Sequence, residues 1–136
     1  MSSTAIPYRD RLIEVIGTLS SGAEQLAYQE QVPIAYVPDE LVCQFFDDSF
    51  HPKSPEFTGE FSNDELKAIC VFSGYLSIAS DEVQGNRSPP ITDVLKLPRW
   101  REMMRFAAKT TATLKERANK PWMATPTSPF VLDVST

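Results

Sequence analysis

The stretch FSNDEL at positions 61–66 carries the clearest structural signal in the chain. The Ser62 hydroxyl can accept a hydrogen bond from the main-chain N–H of Glu65, while the Glu65 carboxylate can accept one from the N–H of Ser62. Phe61 and Leu66 stand at the two positions of a hydrophobic staple around this capping box. The stretch therefore predicts that a helix begins here and continues to about residue 80. Its predicted apolar stripe consists of Leu66, Ile69, Cys70, Ser73 and either Leu76 or Ser77.

A second long helix is predicted further along the chain, from Pro98 to about Asn119, just before Pro121. Proline suits a first helical turn and prevents a helix from continuing through it. One face of this helix is predicted to be buried, namely Trp100, Met103, Met104, Ala107, Thr111 and Leu114. Within the helix that begins at 62, Gly74 leaves room for a close approach of another helix.

The N-terminal region, residues 8–31, is predicted to be helical between Pro7 and Pro33. Gly17 and Gly22 each weaken a helix by up to about 1 kcal/mol relative to alanine. A break near residues 18–22 is therefore an alternative to one continuous helix. The apolar stripe of the continuous helix is Leu12, Ile16, Leu19, Ala23 and Leu26.

The segments between these helices predict shorter elements. Residues 39–46 read as a short helix, and residues 91–97 as a short helical turn. Residues 47–60 contain two prolines and a glycine, so they predict a long irregular loop that Phe50 and Phe57 hold to the core. Residues 81–90 predict a polar, mobile loop.

Together these elements predict an all-α fold: an irregular bundle of three longer helices and one or two short ones, with long loops. The length of 136 residues suits one domain. We assign residues 1–120 to a single helical domain. Residues 121–136 form a proline-rich tail, which is either docked on the bundle or disordered.

Composition excludes several classes of protein. The chain lacks an N-terminal signal pattern and any apolar run of membrane-spanning length, which predicts a cytoplasmic protein. The two cysteines, Cys43 and Cys70, lie in apolar stretches without CxxC spacing and are expected to be reduced core thiols. His51 is the single histidine, so a multi-histidine metal site is excluded, and no cofactor is predicted.

Charge is distributed unevenly along the chain. Residues 39–65 contain eight acidic residues and one basic residue, a local charge of −7, whereas residues 96–120 contain eight basic and two acidic residues, or +6. Acidic residues interleaved with phenylalanines suit a basic protein partner. The alternative is that the acids only solvate a loop while the aromatics fill the core. The predicted partner-binding residues are Asp39, Glu40, Asp47, Asp48, Phe50, Glu56 and Glu60.

The basic helix suggests nucleic-acid binding through Arg101, Arg105 and Lys109, since clustered bases neutralise phosphates. A net charge of −5 and the lack of a groove-binding motif favour instead a solvated face, or one paired internally with the acidic segment. We therefore predict no direct contact with nucleic acid.

Catalytic motifs are absent from the sequence: it has no GxxxxGK[ST], GxGxxG or HExxH. Adjacent acids such as Asp47 and Asp48 diverge by about 100° on a helix, so they do not converge on one substrate. His51 has no glycine-lined nucleophile turn nearby that would pair it with a cysteine, and is expected to be a loop histidine. The sequence predicts a protein that is not an enzyme.

Three segments, FFDDSFHP (45–52), FTGEFSNDEL (57–66) and LPRW (97–100), together resemble a pattern in small bacterial immunity proteins. These are cytoplasmic antidotes to polymorphic toxins, including those of contact-dependent growth inhibition. The pattern is an aromatic and acidic turn, a capped helix, and a later tryptophan that opens a terminal helix, and it covers about residues 8–118. The resemblance implies an inhibitor that binds a cognate toxin, often a basic nuclease. The alternative is a non-catalytic adaptor or structural subunit of a cytoplasmic assembly.

Overall fold

The computed structural model describes residues 7–119, and among these residues no strand occurs, which confirms the predicted all-α class. In chain order the helices are α1 (Tyr8–Leu19), α2 (Gly22–Gln31), α3 (Val37–Cys43), a π-helix (Gln44–Ser49) that continues α3, α4 (Pro55–Thr58), α5 (Asn63–Gly85), α6 (Ile91–Val94) and α7 (Pro98–Asn119). The predictions for the tail at 121–136 lie outside the described residues.

The two longest helices, α5 and α7, pack along each other, and α1 packs against α7. The predicted capping box is present: the Ser62 hydroxyl accepts from the N–H of Glu65 at 3.1 Å, and the Glu65 carboxylate accepts from the N–H of Ser62 at 2.9 Å. Helix α5 runs further than predicted, because Val83 gives it one more buried anchor beyond Ala79. The predicted loop at 81–90 therefore shrinks to residues 86–90.

Helix α7 has the predicted bounds and the predicted buried face. Buried on this face are Trp100, Met103, Ala107, Thr111 and Leu114, together with Thr110, while Met104 is half-buried. Against expectation, Gly74 of α5 lies on an exposed face, where an added Cβ would meet no atom within 4 Å. No helix of the described chain approaches it.

The N-terminal region contains the break that the glycines suggested. The Ser21 hydroxyl caps the new helix by accepting from the N–H of Glu24 at 3.1 Å. The continuous apolar stripe is therefore wrong beyond Leu19, because the break reorients α2 and leaves Ala23 and Leu26 exposed.

In place of that stripe, α2 buries Gln25, which joins three helices. Its amide Oε1 accepts from the indole N–H of Trp100 at 3.0 Å, and its Nε2 donates to the carbonyls of Thr18 and Leu19, both at 3.1 Å. Those carbonyls belong to the last turn of α1, where helical partners run out. The buried amide of Gln25 thus provides hydrogen-bond partners both for the end of α1 and for the indole of Trp100.

Half of the segment predicted as a loop, residues 47–60, is helical, and the segment lies against the core. Helix α3 begins at Val37, two residues earlier than predicted, and continues through the π-helix, and α4 follows. The prediction that Phe50 and Phe57 hold this segment is confirmed: Phe50 stacks on buried Phe45 at 5.1 Å, and Phe57 is fully buried. No connection between described helices exceeds five residues, so the predicted long loops are wrong.

An ion pair joins the start of α1 to the capping box of α5 and the end of α7. Arg9 Nη2 lies 2.6 Å from Glu65 Oε2 and also donates to the carbonyl of Leu114 at 2.9 Å, while its Nη1 donates to the carbonyl of Glu60 at 3.0 Å. The hydrogen bond to Glu65 is the main reason why the pKa of Arg9 is raised. Glu65 thus belongs to the packed core as well as to the cap.

The cysteines differ from expectation in one respect. Cys43 and Cys70 are free thiols, but both are exposed rather than buried. Leu41 and Ile69, which lie close to them in the sequence, are buried, since neighbouring residues on a helix face different directions. Among residues 7–119, no helix is long and apolar enough to cross a membrane.

Candidate partner-binding site

Helix α3 and the π-helix present four carboxylates on the surface: Asp39, Glu40, Asp47 and Asp48. We call these four residues the acidic face. All four are exposed, and none forms an ion pair with any residue in the described part of the chain. The structure therefore brings together four of the seven residues that the sequence predicted.

The negative charges of all four carboxylates act on the thiol of Cys43, which lies between the two pairs along the chain. The pKa of Cys43 is raised, first by partial desolvation and then by the charges of Asp47, Asp39, Glu40 and Asp48 in that order. A raised pKa leaves less thiolate at neutral pH, and thiolate is the reactive form. Desolvation and the charges of the acidic face together make Cys43 a poor nucleophile.

The π-helix is what carries Asp47 and Asp48 to the surface. The N–H of Phe50 donates to the carbonyl of Phe45, five residues earlier, at 2.8 Å. Phe45 is buried and meets the ring of Phe72 edge-on at 5.3 Å, so the widened turn is fixed to α5. π-helical turns are rare and occur often at functional sites.

The other three predicted residues have structural surroundings. Phe50 is half-buried in an aromatic cluster, which it forms with Phe45, Phe46, Phe57 and Phe72. Glu56 is exposed and accepts from the hydroxyl of Ser54 at 3.0 Å. Glu60 accepts from the N–H groups of Arg9 at 2.8 Å and Tyr8 at 3.3 Å, and so caps α1 after Pro7, which offers no side-chain cap. The carboxylate of Glu60 is therefore already committed to the fold.

Beside the acidic face, a groove of about 460 Å³ lies between α1, α2, α3 and the π-helix; we call it the α1–π groove. Its lining includes Glu14, Val15, Tyr28, Leu41, Gln44 and Asp48. Val15 and Leu41 are buried, whereas Glu14 and Asp48 are exposed. Sequence reasoning missed Glu14 and Tyr28, because their convergence depends on the break between α1 and α2.

The basic surface of α7 lies apart from this site. Arg101, Arg105 and Lys109 are exposed, and Arg105 lies 4.0 Å from Glu102 of the same helix. No ion pair among residues 7–119 joins α7 to the acidic face. The alternative of internal pairing between the two charged segments is therefore wrong for the described chain.

His51 follows the π-helix and is half-buried, as expected of a loop histidine. Its ring meets Tyr8 edge-on at 5.3 Å and Phe57 at 6.5 Å. No group of three or more histidine, cysteine, aspartate or glutamate side chains suited to a metal ion occurs in the described residues. The position of His51 is accounted for by ring packing.

No protein family model, curated protein or solved structure matches this chain. The acidic face and the α1–π groove are defined by charge, exposure and shape. Exposed carboxylates that form no ion pair within residues 7–119 suit the binding of a cationic surface. That chemistry is the starting point for a function.

Proposed function

We propose that this chain is an immunity-type inhibitor, which binds and neutralises a cognate bacterial toxin in the cytoplasm without catalysis of its own. The single observation that carries the proposal is the acidic face, whose four exposed carboxylates have no ion-pair partner in the described chain. A toxin that acts on nucleic acid needs a basic surface to hold phosphates. Such a surface is complementary to the acidic face.

Charge and packing contribute differently to such a complex. Exposed carboxylates raise the association rate by steering a basic partner, while contacts that become buried set the dissociation rate. Phe46, which is half-buried beside Asp47, offers apolar surface for such a contact. The carboxylates of the acidic face thus support fast association, and Phe46 beside them supports slow dissociation.

The aromatic cluster packs the π-helix, which carries Asp47 and Asp48, against the core. Phe45 packs against Phe46 at 4.9 Å, Phe50 at 5.1 Å and Phe72 at 5.3 Å, so the π-helix is fixed from several sides. A surface that is ordered before binding loses less entropy when it binds. This preorganisation supports a tight inhibitor.

The test begins with the partner that the tagged chain retains in stoichiometric amount when expressed at native level in its own host, identified by mass spectrometry. Its affinity is then measured by calorimetric titration for wild type and for the double variant D47K/D48K. We expect reversal of both charges to weaken binding by roughly 100-fold. The fold should persist, because both side chains are exposed and neither forms an ion pair within residues 7–119.

A matched pair of single reversals serves as the control. D47K and D81K change the net charge equally, and Asp81 is exposed on α5 but is not among the charges that act on Cys43. D47K should weaken binding by roughly tenfold and D81K by less than about twofold. Equal affinities for wild type and D47K/D48K would remove the acidic face from the interface.

A second candidate function is that of a non-catalytic adaptor or structural subunit, and the outer face of α5 favours it. Val71 and Ile78 are 49% and 53% exposed, and Gly74 lies between them on the same helix face. An adaptor that docks there would lose its partner in the variant V71D/I78D and keep it in D47K/D48K. An inhibitor that uses the acidic face predicts the opposite pattern.

A further inference from the structure

We infer that the α1–π groove binds one arginine side chain of the basic partner as an anchor for the acidic face. The inference rests on the proposed function in taking that partner to be a basic protein. It adds a defined pocket and a defined chemical group to a surface otherwise described by its charge.

The floor of the groove suits the aliphatic part of an arginine. Val15 and Leu41 line the groove but are only 5% and 1% exposed, so they contribute a small apolar surface there. Long basic side chains lay their methylene groups on such surfaces while the charged head remains among polar groups.

The rim of the groove suits the guanidinium. Glu14 comes from α1 and Asp48 from the π-helix, and neither carboxylate forms an ion pair with a described residue. The hydroxyl of Tyr28 accepts from Gln44 Nε2 at 2.9 Å, which fixes an aromatic ring at the wall. Carboxylates bind guanidinium through paired hydrogen bonds, and aromatic rings stack on its plane.

Arginine fits this lining better than lysine. A guanidinium is planar and weakly hydrated, so it can stack on Tyr28 and bond to a carboxylate at once, whereas an ammonium is a compact, strongly hydrated charge. Arg11, at the groove, places its own guanidinium 5.3 Å from the Tyr8 ring centroid and donates to the main-chain carbonyl of Asp48 at 3.4 Å. That contact uses the main chain of Asp48 and not its carboxylate.

The experiment uses N-acetyl-arginine amide as the probe, titrated into the isotope-labelled full chain and followed by NMR chemical shifts. We expect saturable binding, with a dissociation constant on the order of millimolar, and shifts concentrated at Val15, Tyr28 and Gln44. N-acetyl-citrulline amide has nearly the same shape without the charge and should bind at least about tenfold more weakly. Equal binding of the two probes, or shifts scattered over the surface, would overturn the inference.

Two double variants with the same change of net charge complete the test. E14Q/D48N removes both carboxylates from the groove and should weaken binding of the arginine probe at least about tenfold. D39N/E40Q removes two carboxylates of the acidic face that do not line the groove. This variant should weaken binding of the probe less than about twofold. Equal weakening by both would mean general attraction without an arginine site, and would also overturn the inference.

Failure of this inference can be told apart from failure of the proposed function. If the probe does not bind while D47K/D48K releases the partner, the groove is not an arginine site and the acidic face still is the interface. If the probe binds at the groove while D47K/D48K retains the partner, both the anchoring role of the groove and the proposed inhibitor interface are wrong, because Asp48 belongs to the groove lining as well as to the acidic face.

Discussion

Glu60 and Glu65 lie in the same acid-rich segment as Asp47 and Asp48, yet the two pairs have opposite surroundings. Glu65 is buried, its side chain only 3% exposed, and pairs with Arg9 at 2.6 Å, while Glu60 caps α1. Asp47 and Asp48 are exposed and form no ion pair within residues 7–119. Local charge alone therefore does not assign a role: burial and bonding separate the carboxylates that hold the fold from those available to a partner.

The largest effect on stability is expected at Glu65. Glu65→Ala leaves Arg9 partly buried without its partner and removes half of the capping box. We expect the free energy of unfolding, measured with urea, to fall by about 3 kcal/mol, at the low end for a broken buried pair because Arg9 stays 20% exposed. Glu65→Gln keeps the capping acceptor and should lose roughly half as much. A loss below about 1 kcal/mol would place Glu65 with the surface acids.

A smaller effect is expected at Glu60. Glu60→Ala removes the acceptor for the first N–H groups of α1, and loss of such a cap should lower the free energy of unfolding by about 1 kcal/mol. Glu56→Ala is the matched control, since Glu56 is exposed and bonds only to the nearby Ser54 hydroxyl. The free energy of unfolding of Glu56→Ala should differ from that of the wild type by no more than about 0.5 kcal/mol. Equal losses in the two variants would remove the distinction between a capping and a surface glutamate.

The smallest expected effect concerns the exposed carboxylates Asp47 and Asp48 and is measured at the thiol of Cys43. Charges at the acidic face help to raise its pKa, with Asp47 first among them. In a C70S background, D47N/D48N should lower that pKa, enlarge the thiolate fraction at pH 7.5 and speed labelling by a maleimide roughly two- to fivefold. D81N should leave the rate unchanged. An identical rate in D47N/D48N would mean that the carboxylates do not converge on Cys43.

The sequence predicted those parts of the fold that depend on neighbours along the chain. The start of α5 follows from Ser62 and Glu65, which bond to each other across three residues. The bounds of α7 follow from Pro98 and from Asn119 ahead of a proline. Both signals act within one or two turns, so tertiary packing did not override them.

The rest depends on contacts between distant residues. Arg9 and Glu65 are 56 positions apart, and Gln25 reaches Trp100 across 75. Phe45 of the π-helix packs on Phe72, which lies on another helix. No local pattern encodes these pairings, which explains why residues 47–60 were predicted as a loop.

The candidate site was predicted in part for the same reason. Charge and aromatic neighbours predict Asp47 and Asp48 as partner-binding residues, and both are exposed in the structure. Glu60 was named from charge as well, but its carboxylate is used in capping α1. Glu14 was missed because only the arrangement of α1 beside the π-helix brings it into the groove.

The role of the acidic face is best tested by the association rate constant of the identified partner at low and high salt, about 50 and 300 mM. If the face steers a basic partner, the wild-type rate should fall at least about tenfold between the two conditions. D47N/D48N, which removes two of the four charges, should begin slower and fall much less. Identical salt dependence for wild type and D47N/D48N would contradict a role of the acidic face in binding.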